Sequence, residues 1–437
     1  MQLARRDWVP NPSEDHIQRI AEMVAQSASS DVLARINTLA RDNLRIHEVE
    51  NFNLNPASNV MNPRAEALLA MGLSTRASLG YPRVKYETGL EAIEEIETIT
   101  AELAAETFQA RYAEIRVASG AAANLFAFMT TCRPGDTIIV PPAEIGGHVT
   151  HHGAGCAGLF GLRILTAPIN AKGYSVDLEA LHELAKKERP RLITIGGSLN
   201  LFEHPVEAMR AIADDVGARL LFDAAHLCGL IAGGVWPNPL DQGAHLMTMS
   251  TYKSLGGPAG GLILTNEEEL AKSLDRVAFP GMTANFDVGK TAALGVTLLD
   301  WREYGAAYAN AMVEVSQGLA EALAHKGLPV FGSEEGFSHS HQFAICAAPF
   351  GGGQSASRRL YRAGFLTSGI GLPLEPSNND TNGVRIGTPE IVRWGVTIEH
   401  IPLLANLIAD ALQGDPSTVA PCTKELRGHF TRLHYVS

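Results

Sequence analysis

From about residue 113 the chain alternates short β-like runs with helical segments, and this rhythm restricts its fold more than any other feature. AEIRVASG leads into AAANLFAFMTTC, and DTIIVPP follows. LRILTAPI then precedes DLEALHELAKK, and RLITIGGS precedes VEAMRAIADDVG. RLLFDAAH, HLMTMSTYKS and GGLILT complete the series. Strands alternating with helices predict a mostly parallel sheet covered on both faces. Sheets of this kind bind ligands at the carboxyl ends of their strands. Those ends carry Ser119-Gly120, Ser198, Asp223 with His226, and Lys253. Packing alone does not explain chemically capable residues at consecutive strand ends.

The rest of the chain supports an α/β fold with a smaller C-terminal α+β domain. Its 437 residues are 46% apolar and 19% charged, enough for a sizeable core. Lys and Arg number 35 against 47 Asp and Glu, a balance of −12 that argues against nucleic-acid or anionic-membrane partners. The five scattered cysteines form no CxxC, which disfavours a disulfide scaffold or zinc ribbon. MQLARRDWVPNPSEDHIQ has no apolar targeting core, and no run approaches the ~18 apolar residues of a membrane span. A soluble, cytoplasmic protein is expected. Residues 13–44 read as helical and 50–90 as a long loop containing the helix PRAEALLAM. A helix is predicted at 90–108 and a long one at about 290–325. The expected division is a helical arm at 1–50, a large domain at 51–300 and a small one at 301–437. The small domain should have strands at LPVF and HQFAICAA and a final helix near 399–412.

Several positions suggest chemistry. Lys253 lies between a strand and the glycine-rich Leu255–Gly261, where an amine can enter a cleft and form a Schiff base with a carbonyl. Asp223 ends an apolar strand, and a buried carboxylate there needs a cationic partner because desolvation otherwise raises its pKa. The pyridinium nitrogen of pyridoxal phosphate is such a partner. A strand ending in Asp, then a strand ending in Lys about 30 residues later, is the order of fold-type I pyridoxal-phosphate enzymes. Ser119-Gly120-Ala121 opens a helix whose free N–H groups can hold a phosphate. His148 follows two glycines and can stack on a cofactor ring. No metal is expected at His151 and His152, which lack a Cys, Asp or Glu at ligand spacing. Of His339 and His341, which alternate along a strand, one can face the site. Gly153–Gly158 matches GxGxxG literally but lacks the preceding strand that a dinucleotide site requires. Arg385, among turn-formers, can bind a carboxylate through two parallel hydrogen bonds.

These blocks together resemble the serine hydroxymethyltransferase family. Glu50-Asn51, Gly80-Tyr81-Pro82, Gly146-Gly147-His148, FDAAHLCGL (222–230), GVWPNP (234–239), STYKSLGGPAGG (250–261), FPG (279–281) and VRIGTP (384–389) stand in the family's order. The resemblance implies a fold-type I pyridoxal 5′-phosphate homodimer, or a tetramer made of two such dimers, with active sites at the subunit interface. Lys253 would carry the cofactor, Asp223 would pair with the pyridine nitrogen and His148 would stack on the ring. Ser198 and His226 would lie near the phenolic oxygen. Ser119, Gly120 and Ala121 would hold the phosphate, with Gly281 supplied by the partner, and Ser250 is counted with the cofactor-binding residues. Arg385 would bind the substrate carboxylate, with Glu50 and Tyr86 lining the substrate pocket.

The departures from the family are informative. Where the family has Tyr-Ala-Glu-Gly-Tyr-Pro, this chain has Ala77-Ser78-Leu79-Gly80-Tyr81-Pro82. The family's catalytic glutamate is therefore Leu79, and a phosphate-reaching tyrosine is Ala77. The family's tyrosine pair is Tyr86-Glu87, the histidine before the lysine is Tyr252, and GPRGG has become GPAGG with Ala259. Glu87 is the candidate to replace the lost carboxylate. The expected activity makes or breaks the Cα–Cβ bond of β-hydroxy-α-amino acids: a retro-aldol of serine, α-methylserine or threonine type giving glycine or alanine plus an aldehyde. Tetrahydrofolate dependence is doubtful. The alternatives are a folate-dependent hydroxymethyltransferase, a nicotinamide dehydrogenase and a catalytically inactive binding protein.

Overall fold

A computed structural model describes residues 3–375 and 380–437. The chain divides into two compact units, Met1–Asn51 and Phe52–Ser437. The first contains the helices Asn11–Gln26 and Ser29–Leu44 and the turn Arg45–Glu50. The single helical stretch expected over 13–44 is thus interrupted, because Ser27 is extended (φ −94°, ψ 150°). Within this unit the buried Glu14 accepts hydrogen bonds from Arg6 and Gln18, tying the leading segment to the first helix.

The second unit is built on a seven-stranded sheet. In chain order the strands are β1 (Tyr112–Val117), β2 (Thr137–Val140), β3 (Arg163–Thr166), β4 (Leu192–Gly196), β5 (Arg219–Asp223), β6 (Leu246–Ser250) and β7 (Gly261–Thr265). In space they lie β1-β7-β6-β5-β4-β2-β3. β7 alone runs antiparallel to its neighbours, β6 and β1, so the sheet is mostly parallel, as the alternation predicts. β4, β6 and β7 are buried at every position, as strands covered on both faces should be. Asp223 pairs in register with Gly196 on one side and Thr248 on the other, which aligns the functional ends of three strands.

The 38-residue helix Val288–His325, roughly 57 Å long at 1.5 Å per residue, starts at an Asp287 side chain that caps the Lys290 N–H. The domain border expected at 300/301 falls inside it. Trp301 on this helix donates to the Leu255 carbonyl at 2.8 Å, so the helix supports the glycine turn after Lys253. The smaller sheet comprises β8 (Gln342–Cys346), β9 (Ser368–Ile370) and β10 (Gly383–Gly387) in the order β8-β10-β9, antiparallel throughout. LPVF, expected as a strand, contributes only the bridge Val330–Ile345. The helix Ile401–Gln413 matches the one expected near 399–412, and a further helix, Pro416–Arg427, follows it.

Candidate active site

The carboxyl ends of the central strands open into one cleft. Ser119, Gly120, Ala121, His148, Ser198, Asp223, His226, Ser250 and Lys253 line it together with Asn124 and Tyr252. Ser119 caps the helix Gly120–Thr131 by accepting the Ala122 N–H at 3.1 Å. The first N–H groups of a helix lack intrahelical acceptors, so this cap leaves donors aimed at the cleft. A Cβ at position 120 would lie 2.1 Å from Ser250 Oγ, so only glycine permits this close approach of helix and β6. Gly196, at the end of β4, has φ +87° and would place a Cβ 2.3 Å from the Asp223 carbonyl. A side chain there would obstruct the turn that presents Ser198.

Asp223 is enclosed by donors. Its Oδ2 accepts from His151 Nε2 and Asn124 Nδ2, each at 2.9 Å, and its Oδ1 accepts from the Ala225 N–H at 3.0 Å. Burial pushes its pKa up, but the bonds from His151 and Asn124 more than offset this and hold the carboxyl well below the usual range. Asn124 is fixed in turn by Thr248, whose hydroxyl donates to Asn124 Oδ1 at 2.7 Å. A carboxylate that is ionised at neutral pH therefore stands at the end of β5.

Lys253 is only 7% exposed. Among the described residues it makes neither a hydrogen bond nor an ion pair. Burial lowers its pKa to about 8, against the opposing pull of Asp223. Ser254 fixes the lysine turn to the segment after Asp223: its hydroxyl donates to the His226 carbonyl at 2.5 Å and accepts the Gly229 N–H at 2.9 Å.

Arg385 reaches the cleft from β10 of the smaller sheet. Its Nη1 donates to the Ser198 carbonyl at 2.5 Å and its Nη2 to Ser368 Oγ at 3.0 Å, while Nε has no partner. Burial pulls its pKa down to about 10. Among the described residues no carboxylate pairs with it. A buried guanidinium without a counter-ion is costly unless an anion arrives.

Glu50 belongs to the first unit, where it pairs with Arg45. Tyr86, 83% exposed, Glu87 and the exposed Gly281 are not among the residues lining this chain's cleft. Tyr86 and Glu87 follow the hairpin Gly80–Tyr81/Val84–Lys85, which is pinned by the buried Lys85. Lys85 Nζ sits 2.8 Å from Glu97 Oε2 and donates to the Gly80 carbonyl at 2.9 Å. Glu87 Oε2 accepts the Leu79 N–H at 3.3 Å.

His148 is half-buried at the cleft, and its Nδ1 accepts the Thr150 N–H at 3.3 Å. Burial lowers its pKa. The supporting residues Asn124, His151 and Gln342 were not read from the sequence. His151, considered there only for a metal, instead supports Asp223. Of the pair His339 and His341, the latter is fully buried with neither ring nitrogen hydrogen-bonded. Gly155 and Gly158 of the GxGxxG segment serve packing: a Cβ would lie 1.9 Å from the Val149 carbonyl and 2.0 Å from the Gly153 carbonyl, respectively.

An unpaired buried amine, an ionised carboxylate at the end of the adjacent strand, a capped helix N-terminus and an unpaired arginine match the aldehyde, pyridinium, phosphate and amino-acid carboxylate of pyridoxal-phosphate chemistry. The fold and this cleft define a fold-type I pyridoxal-phosphate enzyme, with pyridoxal 5′-phosphate as its cofactor. The serine hydroxymethyltransferase family model matches residues 34–408, and the chain belongs to that family. It is 59% identical over 434 residues to an alpha-methylserine aldolase of Variovorax paradoxus, covering 99% of this chain and 98% of that protein. An alpha-methylserine aldolase of a Ralstonia species is 53% identical over 99% of this chain and 100% of its own length. The serine hydroxymethyltransferase of Sulfolobus acidocaldarius is 34% identical over 92% and 94%, respectively. The crystal structure of an L-threonine transaldolase from Pseudomonas fluorescens superposes with a TM-score of 0.85 over 93% of this chain and 94% of that one. At 22% identity, that likeness establishes the fold. The enzyme acts on the Cα–Cβ bond of β-hydroxy amino acids.

Proposed function

We propose that this enzyme is an α-methylserine aldolase working without folate. It cleaves α-methylserine to alanine and formaldehyde and acts reversibly. The observation that carries this reading is Leu79: this chain's cleft gathers residues suited to cofactor and carboxylate binding, yet an apolar side chain stands where the family's catalytic glutamate is expected. The identity to alpha-methylserine aldolases across nearly the whole chain supports the same substrate.

The bound cofactor supplies an electron sink for the pair left on Cα when the Cα–Cβ bond breaks. The protein supplies position and protons. Arg385 would hold the substrate carboxylate and thereby select which Cα bond breaks. Lys253 Nζ carries the cofactor and, with its pKa near 8, can hold or return a proton. Asp223 would keep the pyridine nitrogen protonated, and Ser119, Gly120, Ala121 and Ser250 would hold the phosphate. His148 would cover the ring, and Ser198 and His226 would contact the phenolic oxygen. The β-hydroxyl must lose its proton as the aldehyde leaves. We assign that step to Glu87 or Glu50, presented with Tyr86 by a second copy of the chain, which would also supply Gly281 to the phosphate. The exposed Tyr81, Val84, Tyr86 and Met282 beside this chain's hairpin and the Gly281 turn support such a homodimer. No helix among the described residues is long and apolar enough to cross a membrane. All five cysteines are unpaired, which supports a cytoplasmic setting.

A group that moves protons usually contributes ~10²–10⁴-fold to a rate. Leu79 cannot do so for folate-linked transfer, whereas a simple retro-aldol needs only a base for the β-hydroxyl. Saturating tetrahydrofolate is therefore expected to accelerate aldehyde release by less than ~10-fold, below what one such group supplies. The assay compares α-methylserine, serine and allo-threonine with and without tetrahydrofolate. An obligate folate requirement would overturn the aldolase reading in favour of the hydroxymethyltransferase.

Arg385→Lys keeps the charge but loses the fork that grips both carboxylate oxygens. Losing a charge-assisted hydrogen bond costs on the order of 1.5–3 kcal/mol, so amino-acid affinity should fall by roughly tenfold or more. Spectral titration of the holoenzyme measures it, and unchanged affinity would place the carboxylate elsewhere.

A further inference from the structure

His226 is buried, and each of its ring nitrogens faces a nitrogen. Nδ1 lies 2.9 Å from Gln342 Nε2, and Nε2 lies 3.3 Å from Arg385 Nη1. Both neighbours can only donate, but a neutral imidazole has one accepting nitrogen. The orientation of the Gln342 amide settles which nitrogen accepts. Gln342 is fully buried on β8, its Oε1 takes the Asn200 N–H at 3.1 Å, and its Nε2 lies 3.4 Å from the Ser198 carbonyl. Those backbone groups have fixed polarity. Turning the amide over would set donor against donor and oxygen against oxygen. Gln342 Nε2 therefore donates to His226 Nδ1, and the imidazole proton resides on Nε2. A doubly protonated ring would set Nδ1–H against the same amide. The other groups facing His226, namely Lys253, Arg385, His341 and His148, are cations or neutral histidines, and together with burial they keep its pKa well below the ordinary value.

The Nε2–H then meets the Arg385 guanidinium, donor against donor, with no acceptor between them. Such a contact is repaired by an anionic oxygen that accepts from both. We propose that Gln342 is a positioning residue that holds His226 as the Nε2–H tautomer, so that His226 and Arg385 Nη1 donate to one anionic oxygen of a bound molecule. Two oxygens have this chemistry: that of the amino-acid carboxylate and the phenolic oxygen of the cofactor. The assignment of the oxygen rests on the proposed use of the cleft. The tautomer does not.

The test is nitrogen NMR on holoenzyme carrying ¹⁵N-labelled histidine, with the His226 resonances identified by their loss in His226→Asn. The wild type should show Nε2 protonated and Nδ1 unprotonated. Gln342→Glu keeps an acceptor for the Asn200 N–H but presents an oxygen to Nδ1, so the proton should move to Nδ1. Gln342→Met removes the donor without introducing a charge and should leave a mixture of tautomers. If the shared oxygen is the carboxylate, spectral titration should show amino-acid affinity about tenfold weaker in Gln342→Glu, on the scale of one lost charge-assisted bond, with kcat changing less. If it is the phenolic oxygen, affinity should hold and the pH midpoint of the cofactor's visible absorbance should move. Protonation of Nδ1 in the wild type would overturn the proposal. So would a reversed tautomer in Gln342→Glu with both affinity and midpoint unchanged. A holoenzyme that prefers another β-hydroxy amino acid would refute the α-methylserine reading while leaving the tautomer result intact.

Discussion

Lys253→Ala is expected to give a folded protein with no long-wavelength cofactor absorbance and with turnover reduced by more than ~10³-fold, the scale of removing a covalent catalytic group. Folding should survive because the substitution removes a buried cation that has no ion pair among the described residues. No stabilising bridge is lost with it. Lys85, also buried, is held by both oxygens of Glu97 and by backbone carbonyls, so its amine is occupied. Absorbance spectra before and after borohydride, followed by peptide mapping of the reduced wild type, identify the modified residue. Persistence of a borohydride-sensitive band in Lys253→Ala would mean that another lysine carries the cofactor.

Asp223→Ala is the second large expected effect. Removing the carboxylate leaves a protonated pyridine nitrogen without its partner, and turnover should fall by ~10²-fold or more, as when another strong electrostatic contact is lost. The same change strips an acceptor from Asn124, His151 and the Ala225 N–H, so some stability should be lost too. Asp223→Asn separates the two effects: it keeps the shape and one acceptor but removes the charge. Steady-state kinetics and thermal melts of both variants provide the check, and near-wild-type turnover in both would remove Asp223 from the cofactor role. The depressed pKa also fixes a pH dependence. The stability contributed by Asp223 is fully present above about pH 4, the ordinary carboxylate value, and is lost as pH falls toward the folded-state value.

The central sheet was legible because its signal is local. Strand-length apolar runs such as RLLFD and LMTMS are separated by helical stretches, and the residue ending each run is the one the cleft uses. Local patterning failed where a neighbour decides. LPVF has strand composition, but only Val330 finds a bridging partner. The break at Ser27 lies in an otherwise helical composition, since serine and alanine are both tolerated in helices. His151 reads in sequence only as one of two adjacent histidines, and nothing local reveals that its ring reaches Asp223. Asn124 and Gln342 lie 99 and 116 residues from the side chains they orient, a separation that only the folded sheet closes.

The carboxylate of Glu87 already occupies the Leu79 amide, and this bears on how the family's two chemistries can interconvert. Restoring glutamate at position 79 alone would set a second negative charge beside Glu87, and like charges at close range resist joint ionisation. The new charge would raise the cost of keeping the Glu87 carboxylate on this amide. The gain of a carboxylate at one position and its loss at the other are therefore coupled steps, each unfavourable without its counterpart. Within this hairpin the two positions would therefore be exchanged as a pair, since side chains that share one partner do not vary independently.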